Sequence, residues 1–94
     1  MTNNQQPTIP VQAAPQDLKG VYANQAQVLH TGEEFVLDFF TVVPPAGALS
    51  ARVVLSPSHF KRLLRAMEEN LKKYEDQFGT ISLAVTADRK IEFK

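Results

Sequence analysis

The sequence predicts an α+β domain: an antiparallel three-stranded meander, one long amphipathic helix and a C-terminal β-hairpin. Three observations predict it. Runs of β-branched and aromatic residues are separated by short Gly- or Pro-marked breaks before residue 56. A helical apolar period then runs for some twenty residues. Alternation resumes after Gly79.

The chain has 94 residues, 44% hydrophobic and 21% charged, which fits one globular domain. Residues 1–16 carry none of the charged side chains but hold Pro7, Pro10, Pro15 and six Asn or Gln. Such a stretch buries too little apolar surface to offset its ordering entropy, so it reads as a disordered arm, either a solubilising leader or a recognition arm. The folded domain is then 17–94. A domain of that size buries a modest fraction of its surface, and with no Cys to cross-link it, oligomerisation is the expected further source of stability.

Val21 to His30 reads as the first strand and Glu33 to Val43 as the second, joined by Thr31-Gly32. Pro44-Pro45-Ala46-Gly47 is the next break, and Leu49 to Leu55 the third strand. A two-residue loop at Thr31-Gly32 sets His30 opposite Glu33, Val28 opposite Phe35, Ala26 opposite Leu37 and Asn24 opposite Phe39. That face, continued by Ala51, Val53 and Leu55, is apolar and is expected to meet the helix. The other face carries Val21, Ala23, Val36, Phe40, Val42 and Val54, interrupted by Gln25, Gln27, Asp38 and Arg52. It is too apolar for a solvated face, and a second subunit is the expected cover. Val36, Asp38, Phe40, Val42, Arg52 and Val54 are therefore the candidate interface. Phe40, Val42 and Val54 are its expected anchors, and a near-diagonal Asp38–Arg52 ion pair fixes its register.

Ser56 is a good N-cap and Pro57 suits the first helical position. Phe60, Leu63, Leu64, Met67, Leu71, Tyr74 and Phe78 follow at spacings of 3, 1, 3, 4, 3 and 4. Glu68–Lys72 and Glu69–Lys73 are expected i,i+4 pairs, and Gly79 is a stop. The helix should span 57–78, roughly 33 Å at 1.5 Å per residue. Ile81, Leu83 and Val85, then Ile91 and Phe93 across Ala87-Asp88-Arg89, form the expected hairpin.

Composition excludes several functions. Ten basic and ten acidic residues balance, unlike most dedicated nucleic-acid binders. Without Cys there is no thiol nucleophile or thiolate metal site. No apolar run reaches membrane-spanning length and no secretory leader is visible, so a soluble cytoplasmic protein is expected. His30 and His59, the two histidines, have no ligand spacing. The four glycines form no phosphate loop, and no serine sits in a nucleophile elbow. Neither an enzyme nor a cofactor is expected. Lys61, Arg62 and Arg65 cluster at the helix start, against its dipole, which marks them as a candidate anion- or partner-binding site or else a solvated face.

The runs Gly20-Val21-Tyr22-Ala23-Asn24, Glu33-Glu34-Phe35-Val36-Leu37-Asp38-Phe39, Ala51-Arg52-Val53-Val54-Leu55-Ser56-Pro57, His59, Lys61-Arg62, Asn70-Leu71, Tyr74-Glu75 and Phe78-Gly79 resemble a small prokaryotic family, domain of unknown function 3467. The resemblance covers about residues 18–81 and leaves out the arm and the last strand. It implies a soluble single-domain protein and carries no activity. An antiparallel sheet followed by a long helix is also the order in SecB-type export chaperones, an analogy of architecture only. The expected function is a non-enzymatic homo-oligomeric protein-binding or adaptor module, with a dimer as the expected form. The alternatives are a nucleic-acid-binding dimer and a SecB-like chaperone.

Overall fold

A computed structural model describes residues 7–83 and 91–93. The fold is α+β, in the order α1 (Pro15–Lys19), β1 (Gln25–His30), β2 (Phe35–Val43), β3 (Ala46–Leu55) and α2 (Pro57–Phe78). The chain divides into two compact units, Met1–Leu55 and Ser56–Lys94. The first holds an antiparallel sheet in the order β1-β2-β3. The second is built on α2.

Three strand boundaries and the limit of the N-terminal arm differ from the expectation, each for a local reason. Thr31-Gly32 is not a two-residue loop. Such a loop requires positive φ at its first residue, which a β-branched Thr resists, and among the described residues no non-glycine has positive φ. Instead Thr31 Oγ1 accepts the N–H groups of Glu33 and Glu34, and Thr31 N–H bonds Glu34 O at 2.9 Å. Residues 31–34 become the loop and His30 pairs with Phe35. The register moves by two, an even number, so every side chain keeps its expected face.

β1 begins at Gln25 rather than Val21 because a side chain takes over the ladder. The Asn24 amide accepts Val42 N–H at 2.8 Å and donates to Val42 O at 2.9 Å, as an extended backbone unit would. Asn24 thus lies against Val42, with its own N–H on Phe40 O, rather than opposite Phe39. β3 begins at Ala46, three residues early. Pro44 and Pro45 are themselves the loop, where no N–H is needed, and their peptide is cis. Gly47 pairs with Val42, and a Cβ there would stand 3.2 Å from Val42 Cγ2. Leaving this position bare lets the hairpin close directly on the two prolines. α1 starts at Pro15, two residues inside the expected arm, with Ala14 N–H bonded to Asp17 Oδ2 at 2.9 Å.

The ladder between β2 and β3 shifts between Phe39 and Phe40. Phe39 faces Ala51 and Phe40 faces Leu49, so Ser50 is the extra residue of a bulge. Thr41 gives its hydroxyl hydrogen to Tyr22 O at 2.7 Å, so Ser50 donates to Thr41 Oγ1 at 2.8 Å. This chain of three groups satisfies the bulge and ties the segment before β1 to the sheet.

α2 has the expected bounds. Ser56 Oγ accepts His59 N–H at 3.3 Å, and Gly79 ends the helix at φ +98, where a side chain would be strained. Lys72 turns to Asp76, at 2.9 Å, rather than to the expected Glu68. Residues 81–83 and 91–93 are not in strands, and the rest of the expected hairpin lies outside the described residues.

Candidate functional site

The second sheet face is organised in cross-strand rows. Leu29, Val36 and Val54 form one row, Gln27, Asp38 and Arg52 the next, and Gln25, Phe40 and Leu49 the third, with Val42 beside Gly47 beyond it. The bulge at Ser50 brings Leu49 onto this face beside Phe40.

Asp38 and Phe40 are the two buried side chains among the described residues, at 0% and 4% exposure. Both belong to the face expected to need a second subunit. Each is buried within a single chain. The remaining members of the candidate interface are more open. Val36 and Val42 are half-buried, and Val54 and Arg52 expose about half of their side chains (50% each). Phe40 is thus a core residue of the single chain.

The expected Asp38–Arg52 pair is present, and it is tighter than expected. The two residues are directly opposite, not diagonal. Arg52 Nε donates to Asp38 Oδ1 at 2.6 Å and an Nη donates to Oδ2 at 2.9 Å, a bidentate fork. From the other side, Gln27 on β1 hydrogen-bonds the carboxylate. The Arg52 hydrogen bonds hold the Asp38 carboxyl below its ordinary value; burial pushes the other way and is overcome, helped by Arg52's charge and by Gln27. The Asp38 carboxylate in turn raises Arg52 further above its usual value. The row is a satisfied ionic crossbar locking three strands in register. Among the described residues, no buried side-chain nitrogen or oxygen lacks a hydrogen bond.

Sequence reasoning placed Gln27 on this face without a role, and missed Asn24, Thr41 and Ser50. Gln27 was findable: a buried carboxylate has more acceptor sites than one guanidinium fills, and the register sets Gln27 beside it. No sequence signal marks the bulge that recruits Leu49 and Ser50.

The first face carries His30–Phe35–Leu55, Val28–Leu37–Val53 and Ala26–Phe39–Ala51. The His30 ring packs on Phe35 at 5.6 Å between centroids. Among the described residues, no three His, Asp or Glu side chains gather into a potential metal site.

Lys61, Arg62 and Arg65 are exposed on the first half of α2, with Lys61 and Arg65 one turn apart. None of the three is ion-paired among the described residues. No described helix is long and apolar enough to cross a membrane.

A family model described as "Protein of unknown function (DUF3467)" matches residues 1–83. The chain belongs to this family. The match extends over the N-terminal segment that the residue-by-residue resemblance left out, so residues 1–17 are part of the DUF3467 pattern. No curated protein and no solved structure matches the chain. For this DUF3467 protein the family therefore contributes membership, and function is argued from surfaces.

Proposed function

We propose that this DUF3467 protein is a non-enzymatic, homo-oligomeric protein-binding module. One observation carries the reading: among the described residues Phe40 is the only buried apolar side chain, while apolar surface stays open in both units. On the sheet, Leu29, Leu49 and Val54 are exposed on the second face and Val28 and Val53 on the first. On α2, Leu64, Met67, Leu71, Tyr74 and Phe78 are exposed. Large apolar side chains left open on a sheet face or along a helix favour protein contact. The satisfied Asp38–Arg52–Gln27 crossbar supports a structural role for the buried carboxylate.

The test is solution mass of the full chain by light scattering. A dimer or larger supports the proposal, and a monomer at the highest soluble concentration overturns it. Val54→Glu then asks whether the sheet face is the surface used. Val54 is half exposed, so this change reads association rather than folding, which Phe40→Asp does not.

A second reading has one observation in its favour: Lys61, Arg62 and Arg65 are exposed and form no ion pair among the described residues. A dimer would present two such clusters to nucleic acid. Affinity should then fall steeply with salt and drop on charge reversal at Arg62 and Arg65; absent or salt-insensitive binding rules it out.

A further inference from the structure

We infer that two copies of this chain pair edge to edge through β1, antiparallel, joining two three-stranded sheets into one. The inference rests on the homo-oligomer reading and names its surface and register.

The first argument is the direction of the backbone groups. In an antiparallel ladder, successive residues turn their N–H and C=O alternately to the strand on one side and away from it. Glu34 O accepts Thr31 N–H, Phe40 O accepts Asn24 N–H, and Val42 bonds the Asn24 amide with both its backbone groups. The even-numbered residues of β2 therefore face β1, where Gln25, Gln27 and Leu29 meet them. Ala26, Val28 and His30 alternate with these, so their N–H and C=O groups turn away from β2. The sheet order is β1-β2-β3, and those groups point off its edge. Among the described residues, no strand pairs with that side of β1.

The second argument is what β1 lacks. Strand edges that stay unpaired are guarded by a charged side chain, a Pro, a bulge or a very short strand. β1 has six residues, an ordinary strand length, with no Asp, Glu, Lys, Arg or Pro among them. Its ladder to β2 runs without a register shift. β3, at the other edge, is interrupted by the bulge at Ser50. A second copy of β1 brings no acid or base against the first, so the strand is its own fitting partner.

One register uses all three outward residues. Val28 lies opposite the partner's Val28, on the twofold axis, and Ala26 opposite the partner's His30. Each of these pairs exchanges two N–H···O bonds. An axis at Gln27 would set His30 against the partner's Asn24, whose N–H is already on Phe40 O. An axis at Leu29 would carry Ala26 past the end of the partner's β1. A slip of one residue would set each outward residue against an inward one. The side chains fit the same register. The row Val53–Leu37–Val28 continues into the partner's Val28 as one apolar row. The small Ala26 leaves room for the partner's His30 ring, which packs on Phe35 of its own strand pair.

The chain has no Cys, so cysteine cross-linking in the full-length protein tests this directly. Opposed residues that exchange hydrogen bonds have Cα atoms about 5.5 Å apart, within disulfide range. Val28→Cys should therefore cross-link to itself on oxidation. Ala26 stands about 14 Å along the strand from its own mate, at about 3.4 Å per residue. Ala26→Cys and His30→Cys should give the mixed disulfide when combined, and neither should cross-link to itself. Self-cross-linking of both would overturn the antiparallel arrangement. Charge gives an independent readout, because a residue on the axis meets its own copy. Val28→Lys and Val28→Glu should each weaken the dimer roughly tenfold, and an equimolar mixture of the two should associate more tightly than either alone. A mixture no tighter than the single variants counts against the axis. A dimer that gives no Val28→Cys disulfide, or that Val54→Glu dissociates while the Val28 variants do not, overturns this inference and leaves the homo-oligomer reading standing. A monomeric wild-type chain overturns both.

Discussion

β2 and α2 both carry a row of large apolar side chains, and they end in opposite conditions. β2 holds both buried side chains, Asp38 and Phe40; α2 holds none. The difference lies in neighbours. β2 is the central strand, and its side chains are flanked from β1 and β3 by direct cross-strand partners. α2 draws on local devices: the Ser56 cap, the Gly79 stop and the Lys72–Asp76 pair. The sheet completes a strand's surroundings through cross-strand neighbours that a single helix does not have.

The comparison is broken most directly by truncation. Phe40→Ala should cost about 3–5 kcal/mol in urea unfolding, as for a buried aromatic, whereas Phe78→Ala should cost under about 1 kcal/mol in the dissociated chain. Equal losses would erase the contrast between the two regions.

Next in size is the crossbar. Asp38→Leu or Arg52→Leu alone should sharply lower the unfolding midpoint, because each strands a charge against the sheet. The double Leu variant should recover much of the loss. A double variant no better than either single would show that the pair stabilises for itself and not merely because its halves need each other.

The same pair sets an acid limit. Asp38 has a folded pKa below its ordinary 3.8, so its contribution is fully present above that value and is lost as pH falls through the lowered folded value. Urea midpoints should fall below pH 3.8 more steeply in wild type than in Asp38→Asn. Identical slopes would show that the carboxylate is not specially held.

The smallest effects are at the ends of the elements. Asn24→Ala removes both amide bonds to Val42 and should cost about 1 kcal/mol, with faster exchange of the Val42 amide. Ser56→Ala removes a long cap bond of 3.3 Å and should cost about 0.5–1 kcal/mol, with fraying confined to the first turn of α2.

Several of these features were legible in residue order. Pro57 to Phe78 could be bounded from Ser56 and Gly79 because capping and stopping depend on two or three adjacent residues. The Asp38–Arg52 pair could be read because a carboxylate in an apolar strand requires a countercharge on its own face. The β1–β2 register could not. It turned on whether Thr31 would adopt positive φ or fold its hydroxyl back onto Glu33 and Glu34, a competition of small energies. The bulge at Ser50 was hidden for the same reason, and with it the place of Leu49 beside Phe40.

By itself, then, the sequence determined the kinds of element, their faces and the partner of Asp38. These follow from period, cap chemistry and the cost of an unpaired charge, all of which act over a few residues. The tertiary structure decided that Asp38 and Phe40 are the residues the sheet buries. Burial is a property of what lies across from a side chain. Residue order gives the face of each side chain but not how far its cross-strand neighbours enclose it, so only the folded sheet singles out Asp38 and Phe40.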